Sequence, residues 1–184
     1  MKNLTVTIIL LASFFYSNAQ QADNTDVDLK RNEVRLNGLY LVLGAFEGSY
    51  SYVLNDESTV GVSLLLPFDE DVRDDLNYYV SPYYRFFFGK KPAAGFFLEG
   101  FGMLNSIKDT VSTFNEGPNP VITTVEENIT DFALGIGLGG KFMTKRGLVG
   151  ELNLGVGRNL FNGDNNGSGT DVIAKFGISL GYRF

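Results

Sequence analysis

From residue 32 to the end of the chain, side chains alternate with a period of two. They do so in eight segments: 33–44, 48–55, 58–67, 77–89, 94–106, 130–143, 147–159 and 171–184. Most reach the roughly 9–11 residues that a tilted strand needs to cross hydrocarbon, whereas strands of ordinary globular domains run to about 5–6. After the first twenty residues, no apolar stretch approaches the ~20 residues of a spanning helix. In lipid, a chain of this pattern has one solution. Hydrocarbon satisfies no backbone donor or acceptor, so the strands must close into a barrel. The expected fold class is all-β, an eight-stranded antiparallel up-and-down transmembrane barrel over residues 32–184.

Sorting each segment by parity separates two faces. One carries Val60, Val62, Leu64 and Leu66; Tyr78, Val80, Pro82, Tyr84, Phe86 and Phe88; Phe132, Leu134, Ile136, Leu138 and Phe142; Leu148, Leu152, Leu154 and Val156. The last segment adds Val172, Ala174, Phe176, Ile178, Leu180, Tyr182 and Phe184. None of these is charged. The opposite parity holds Arg85, Glu99, Lys141, Glu151, Lys175 and Arg183, with Ser81, Asn153, Ser179 and many glycines. In the first segment Arg35 and Asn37 mark the interior parity, which also takes in Leu39, Leu41 and Leu43.

The same alternation suits a soluble barrel with its faces exchanged, such as a secreted lipocalin-like carrier. Three features favour apolar-out. First, opposite charges mirror each other across two turns. A turn near Pro92 sets Arg85 beside Glu99, and one near Arg146 sets Lys141 beside Glu151. In a narrow lumen such pairs avoid an unpaired buried charge. Second, the connections differ in length by end. Those at 55–58, 89–94 and 143–147 are short; at the other end 106–129 and 159–171 are much longer, 67–76 is intermediate and the first, around 44–48, is tight, close to the pattern of outer-membrane barrels. Third, the chain ends on alternating apolar residues with a terminal Phe. Phe176, Ile178, Leu180, Tyr182 and Phe184 resemble the assembly signal of bacterial outer-membrane barrels.

Residues 1–19 read as a cleaved signal peptide. Lys2 is a positive start, Leu4–Tyr16 an apolar core, and Ser17-Asn18-Ala19 a small-residue cleavage site. Its removal takes the net charge from −6 to −7. Residues 20–31 are a polar, flexible lead-in. An exported chain without cysteine has no disulfide to hold it.

Over residues 32–184 the chain resembles the small eight-stranded outer-membrane barrels of the OmpX and OmpA-transmembrane type. More closely, Gly89–Phe101 (GKKPAAGFFLEGF) and Gly155–Phe161 (GVGRNLF) look like a family of uncharacterised exported barrels in Gram-negative bacteria. The resemblance implies the fold and the outer membrane as location, and carries no activity. The implied partners are outer-membrane lipid and, during biogenesis, the barrel-assembly machinery. An extracellular ligand could bind through loops 67–76, 106–129 and 159–171, and the expected state is a monomer.

The composition narrows function by exclusion. With no His and no Cys, the Ser-His-Asp triad, the Cys nucleophile and the usual zinc sites are out. The acidic balance argues against nucleic acid as a partner. No cofactor is expected. Gly135–Phe142 matches GxxxxGK, but Phe142 stands where Ser or Thr would hold magnesium, and the run lies within a strand. The acidic loop 67–76, with Asp69, Glu70, Asp71, Asp74 and Asp75, can in principle hold a divalent cation but lacks the ligand order of an EF-hand. A lipid-modifying barrel enzyme would need Ser or Tyr beside a carboxylate or Lys at the outer rim, and no such cluster is legible. The expectation is therefore a non-catalytic barrel with a structural or interaction role and a filled polar interior. Inward Gly135, Gly137, Gly139, Gly155, Gly157, Gly177 and Gly181 make room for Phe87, Phe97, Phe101 and Met103. Tyr78, Tyr79, Tyr83, Tyr84 and Tyr182 are candidates for interfacial girdles, and Pro82 predicts a bulge or bend in its strand.

Overall fold

The computed structural model describes residues 30–115, 121–161 and 172–184. The expected signal peptide, nearly all of the lead-in and most of loop 159–171 lie outside them.

Eight strands close in chain order, each antiparallel to the next, with β1 returning to β8. They are β1 (Asn32–Asn37), β2 (Ala45–Asn55), β3 (Ser58–Pro67), β4 (Leu76–Phe87), β5 (Gly95–Asn115), β6 (Val121–Met143), β7 (Leu148–Asn159) and β8 (Val172–Arg183). Two one-and-a-half-turn helices interrupt the pattern, α1 (Gly38–Leu43) and α2 (Glu70–Asp75). The start of β1 and the end of β8 meet at the end of the barrel that carries the short turns. There Asn32 and Phe184 exchange backbone hydrogen bonds of 3.0 and 2.8 Å.

The parity of the sequence is the parity of the wall. Ile136 and Leu154 are 72% and 64% exposed on the outside, whereas Arg85 and Lys141 are 2% and 1% exposed within. The apolar rows therefore clothe the cylinder.

Three segments depart from the sequence reading. The first strand stops at Asn37. Residues 38–43 turn into α1, so Leu39, Leu41 and Leu43 do not line the interior. Asn37 caps this helix, its Oδ1 accepting from the Leu39 N–H at 3.1 Å, and Gly44 ends it at φ 97°, a left-handed conformation that favours glycine. The 67–76 loop contains α2. Asp69 caps it by accepting from the Asp71 N–H at 3.0 Å, and Glu70 and Asp71 suit the positive end of its dipole. The 106–129 connection is mostly strand. β5 and β6 stay paired from Gly95↔Lys141 to Asn115↔Val121, well beyond Ile107, where pairing with β4 ends. β-branched residues, Thr110, Val111 and Thr113 on β5 and the run Val121–Val125 on β6, favour strand in this outward extension.

Pro82 keeps its register on both sides. It faces Val62 on β3, and β4 pairs with β5 in one register at Val80↔Leu104 and again at Tyr83↔Phe101. Instead of a bulge there is a substitute donor. Pro82 lies opposite Gly102 and has no N–H, and the adjacent Ser81 hydroxyl donates to the Gly102 carbonyl at 2.9 Å. The one register shift on this strand lies between Leu76 and Tyr78. Of the girdle tyrosines, Tyr84 and Tyr182 face outward. Tyr79 and Tyr83 are buried in the lumen, because their odd numbers put them on the inner parity.

Candidate functional site

The lumen is layered. At the short-turn end, Val53, Phe87, Ala93 and Phe97 form an apolar stopper. The β4–β5 turn folds inward to supply part of it. Ala93 N–H donates to the Asp56 carbonyl at 2.6 Å, and Arg183 donates to the carbonyls of Pro92 and Ala93 at 2.9 and 2.7 Å. Toward the far end, Leu65, Tyr79, Tyr83, Phe101 and Met103 form a second apolar cluster, backed by Tyr40, Val72, Leu76 and Ile173.

Between them lies an ionic layer contributed by six strands. Glu33 on β1 contacts Lys141 at 2.8 Å, Arg35 at 3.1 Å and Arg183 at 2.9 Å. Glu151 on β7 accepts from Arg35 and, at 2.8 Å, from Arg85. Glu99 on β5 accepts from Arg85 at 2.6 Å and from Lys175 at 2.8 Å. Three carboxylates thus face five cations, all buried. Aromatic faces take up part of the excess positive charge. Arg85 lies 4.4 Å from the Tyr83 ring and 4.5 Å from that of Phe97, Lys141 lies 4.9 Å from Phe87, and Lys175 lies 4.9 Å from Tyr83 and 5.0 Å from Phe101. Ser49, Ser51 and the Tyr83 hydroxyl complete the acceptor set of Arg35.

Arg85 and Glu99 are register partners and bond directly. Lys141 and Glu151 are also register partners, but their Nζ–O separation is 3.7 Å, and the shorter contact of Lys141 is to Glu33. Glu33 is the hub that turn arithmetic missed. Its parity with Arg35 was the available signal. Its contact with Lys141 spans 108 residues and arises only because the sheet closes on itself.

Glycine makes this packing feasible. A Cβ on Gly135 would meet the Phe101 ring at 2.3 Å, one on Gly139 the Phe97 ring at 2.4 Å, and one on Gly61 the Tyr83 ring at 2.4 Å. Each large inward ring thus lies flat on a neighbouring strand's backbone.

Along β8, Ile178, Leu180, Tyr182 and Phe184 are exposed on the outer face. Phe176 is half-buried, stacked on Tyr40 with ring centroids 5.2 Å apart. Outside the wall, Gly100 and Gly102 open an apolar groove of about 670 Å³ flanked by Pro82, Tyr84, Phe132 and Leu134. Among the described residues, no three His, Cys, Asp or Glu side chains are arranged to hold a metal. Gly135–Phe142 lies inside β6.

No family profile and no curated protein matches the chain, so the likeness of 89–101 and 155–161 to one particular group of exported barrels rests on those segments alone. Among solved structures, the N-terminal β-barrel domain of Pseudomonas aeruginosa OprF superposes with a TM-score of 0.51 at 15% identity, covering 84% of this chain and 98% of that one. That identity supports a shared architecture: the chain is an eight-stranded, all-antiparallel closed barrel similar in fold to the OprF domain.

Proposed function

We propose that this protein is a bacterial outer-membrane barrel with a structural or interaction role and no catalysis of its own. Its location is the outer membrane, reached by an N-terminal export signal. The observation that carries this reading is the apolar outer face around an ionic lumen, with Arg158 an exposed charge on that face toward the loop end of β7. A surface on which Ile136, Leu154 and Leu180 are each more than 60% exposed is unfavourable in water at roughly 25 cal/mol per Å² of apolar area. It suits acyl chains without further change. A soluble carrier would need these rows turned inward.

The lumen supports an anchoring role. An apolar stopper, an ionic layer and an apolar cluster fill it in succession, so the barrel serves as a support. What it supports is the β5–β6 hairpin. Beyond Ile107 this ladder continues for eight residues, about 27 Å at strand rise. Neither β4 nor β7 pairs with it there. Two strands with no third strand beside them among the described residues offer backbone pairing to an external partner. Together with the acidic α2 segment and loop 159–171, this hairpin is the surface through which an external ligand would be met.

An epitope inserted at 116–120 tests the reading in the native envelope. The expected result is recovery in the detergent-extracted outer-membrane fraction, heat-modifiable mobility on gels, and epitope labelling on intact cells. Recovery of the protein in buffer without detergent would refute the membrane assignment. Labelling only after the envelope is broken would refute the display role.

A further inference from the structure

The chain has 15 Lys and Arg residues. Lys2 falls in the expected signal peptide, and Arg35, Arg85, Lys141, Lys175 and Arg183 are buried in the lumen. Of the nine that remain, six lie at the short-turn end: Lys30, Arg31, Lys90, Lys91, Lys145 and Arg146, all exposed. They form an arc around the rim. The β4–β5 turn carries Lys90 and Lys91, and the β6–β7 turn carries Lys145 and Arg146. These turns flank the paired strands β5 and β6, where Gly95 faces Lys141, so they stand about 10 Å apart at two strand spacings. Lys30 and Arg31 lead into β1, which carries the arc on past β8. The hairpin left over, β2–β3, holds the acids Asp56 and Glu57. The opposite end has the reverse balance, with Asp69, Glu70, Asp71, Asp74 and Asp75 accompanying Arg73 in and beside α2.

An aromatic band lies just inside this arc. Phe86 and Phe88 about the end of β4, Phe96 on β5, Phe142 on β6 and Tyr182 on β8 are exposed on the outer face. The Phe88 ring centroid lies 5.1 Å from that of Phe86 and 5.9 Å from that of Phe96. Lys90 and Lys91 follow Phe88 by two and three residues, and Lys145 and Arg146 follow Phe142 by three and four. At strand rise and a tilt near 40°, that places the cations on the order of 5–10 Å beyond the rings. The headgroup layer on each side of a bilayer is about 5–8 Å thick. Aromatic rings settle at the interface, so these ammonium and guanidinium groups stand among lipid phosphates. Lys30 shows the arrangement directly: its Nζ lies 5.4 Å from the Tyr182 ring centroid, a cation beside an interfacial ring.

The backbone beneath the cations is fixed. Arg183 holds the carbonyls of Pro92 and Ala93, and the Ala93 N–H donates to the Asp56 carbonyl. In the β6–β7 turn the Thr144 N–H donates to the Leu148 carbonyl at 2.9 Å and the Gly147 N–H to the Thr144 carbonyl at 3.1 Å. A ligand therefore meets charges whose spacing is already set, and binding orders only side chains.

We propose that this arc is a binding surface for the anionic headgroups of phospholipids, with Lys90, Lys91, Lys145 and Arg146 as its main cations. The proposal rests on the membrane reading above, under which the short-turn end meets the periplasmic leaflet. The apolar wall attracts acyl chains whatever their headgroup. The arc adds a preference among headgroups, since each basic side chain beside an anionic surface contributes about fivefold in affinity. It also holds this rim of the barrel at the phosphate level. Asp23, Asp26 and Asp28 precede the arc and offset part of its charge, so the test retains them.

The isotope-labelled chain from residue 20 onward is refolded in dodecylphosphocholine micelles. It is titrated with dihexanoyl-phosphatidylglycerol, and separately with dihexanoyl-phosphatidylcholine as the neutral comparison. The expected result is a saturable shift of the amide signals of 89–95 and 143–147 with the anionic lipid alone, and none over 70–76. Raising the salt from about 0.05 M to about 0.5 M shortens the screening length about threefold and should weaken binding at least about tenfold. Replacing Lys90, Lys91, Lys145 and Arg146 together by glutamine should weaken it by at least as much. Equal shifts with both lipids, a response centred on 70–76, or an affinity indifferent to salt and to the substitutions would overturn the proposal. The salt response is read on the parent barrel, so it decides the matter even where the fourfold variant fails to refold. A folded barrel without headgroup preference would sink this proposal alone, because the membrane reading is tested separately by fractionation and heat-modifiable mobility.

Discussion

Replacing Glu99 by leucine removes the carboxylate shared by Arg85 and Lys175. The two cations are not equally exposed to its loss. Arg85 keeps Glu151 at 2.8 Å and remains between the rings of Tyr83 and Phe97. For Lys175, Glu99 at 2.8 Å is the carboxylate partner, and only the faces of Tyr83 and Phe101 remain beside it. The sequence alone points to Arg85 as the stranded group, whereas the structure identifies Lys175. Breaking a buried pair from one side costs about 3–5 kcal/mol. Desolvated cation–π contacts return up to about 2 kcal/mol. Glu99→Leu should therefore destabilise the barrel by about 2–4 kcal/mol, read as a lower urea midpoint for refolding in micelles, scored by heat-modifiable mobility. The diagnostic step is the double variant. Lys175→Met removes the stranded charge, so adding it to Glu99→Leu should recover more than half of the loss, a coupling of about 2 kcal/mol. A Glu99→Leu barrel within about 0.5 kcal/mol of the parent, or a Lys175→Met cost that simply adds, would refute the reasoning.

Gly135→Val drives a branched side chain into the Phe101 ring, which would lie 2.3 Å from its Cβ, and should cost at least about 1–3 kcal/mol by overpacking; unchanged refolding yield and midpoint would contradict the packed lumen. Ser81→Ala takes the substitute donor from the Gly102 carbonyl and should cost about 1–2 kcal/mol. Adding Pro82→Val, which restores a backbone N–H, should return most of that loss in the same titration. Arg183→Leu releases the Pro92 and Ala93 carbonyls, so limited trypsin digestion should cut after Lys90 several-fold faster than in the parent barrel; equal rates would show that the turn is held in place without Arg183.

How much of this was legible in the sequence follows from the range of each interaction. Parity is local, so the outer rows and the inward position of Arg85, Glu99, Lys141 and Glu151 could be read directly. Register across a short turn is nearly as local, which is why Arg85 and Glu99 stand opposite each other. Contact across the lumen is not local. Glu33 reaches Lys141 and Arg35 reaches Glu151 over separations of 108 and 116 residues. Those distances collapse only when β1 closes on β8 in a barrel narrow enough for opposite walls to share side chains. A turn-by-turn reading therefore yields separate pairs where the protein has one connected layer. The strand character of the 106–129 connection is hidden for a different reason. Its polar Thr, Ser and Asn residues look like loop, but beyond the rim neither face of a hairpin needs to be apolar, so the period-two signal fades while the ladder continues.

The first strand shows a different kind of limit. Leu39, Leu41 and Leu43 alternate as a strand should, on the parity that Arg35 and Asn37 set, yet the chain coils into α1 at Asn37. The pattern was not misread, since the preference for strand is present in the residues. The fold instead places a good N-cap, Asn37, where its side chain can also hold the edge of β8. These local contacts outweigh a ladder that would close further along. In this segment local preference and final conformation are opposed. A longer β1 is limited from its other side, because the β1–β2 register sets Ala45 level with residue 39 and the ladder could run no further than about residue 40 before the chain must turn into β2. The conformation of residues 38–43 is thus decided by register on both neighbouring strands, which a reading of one segment at a time does not contain.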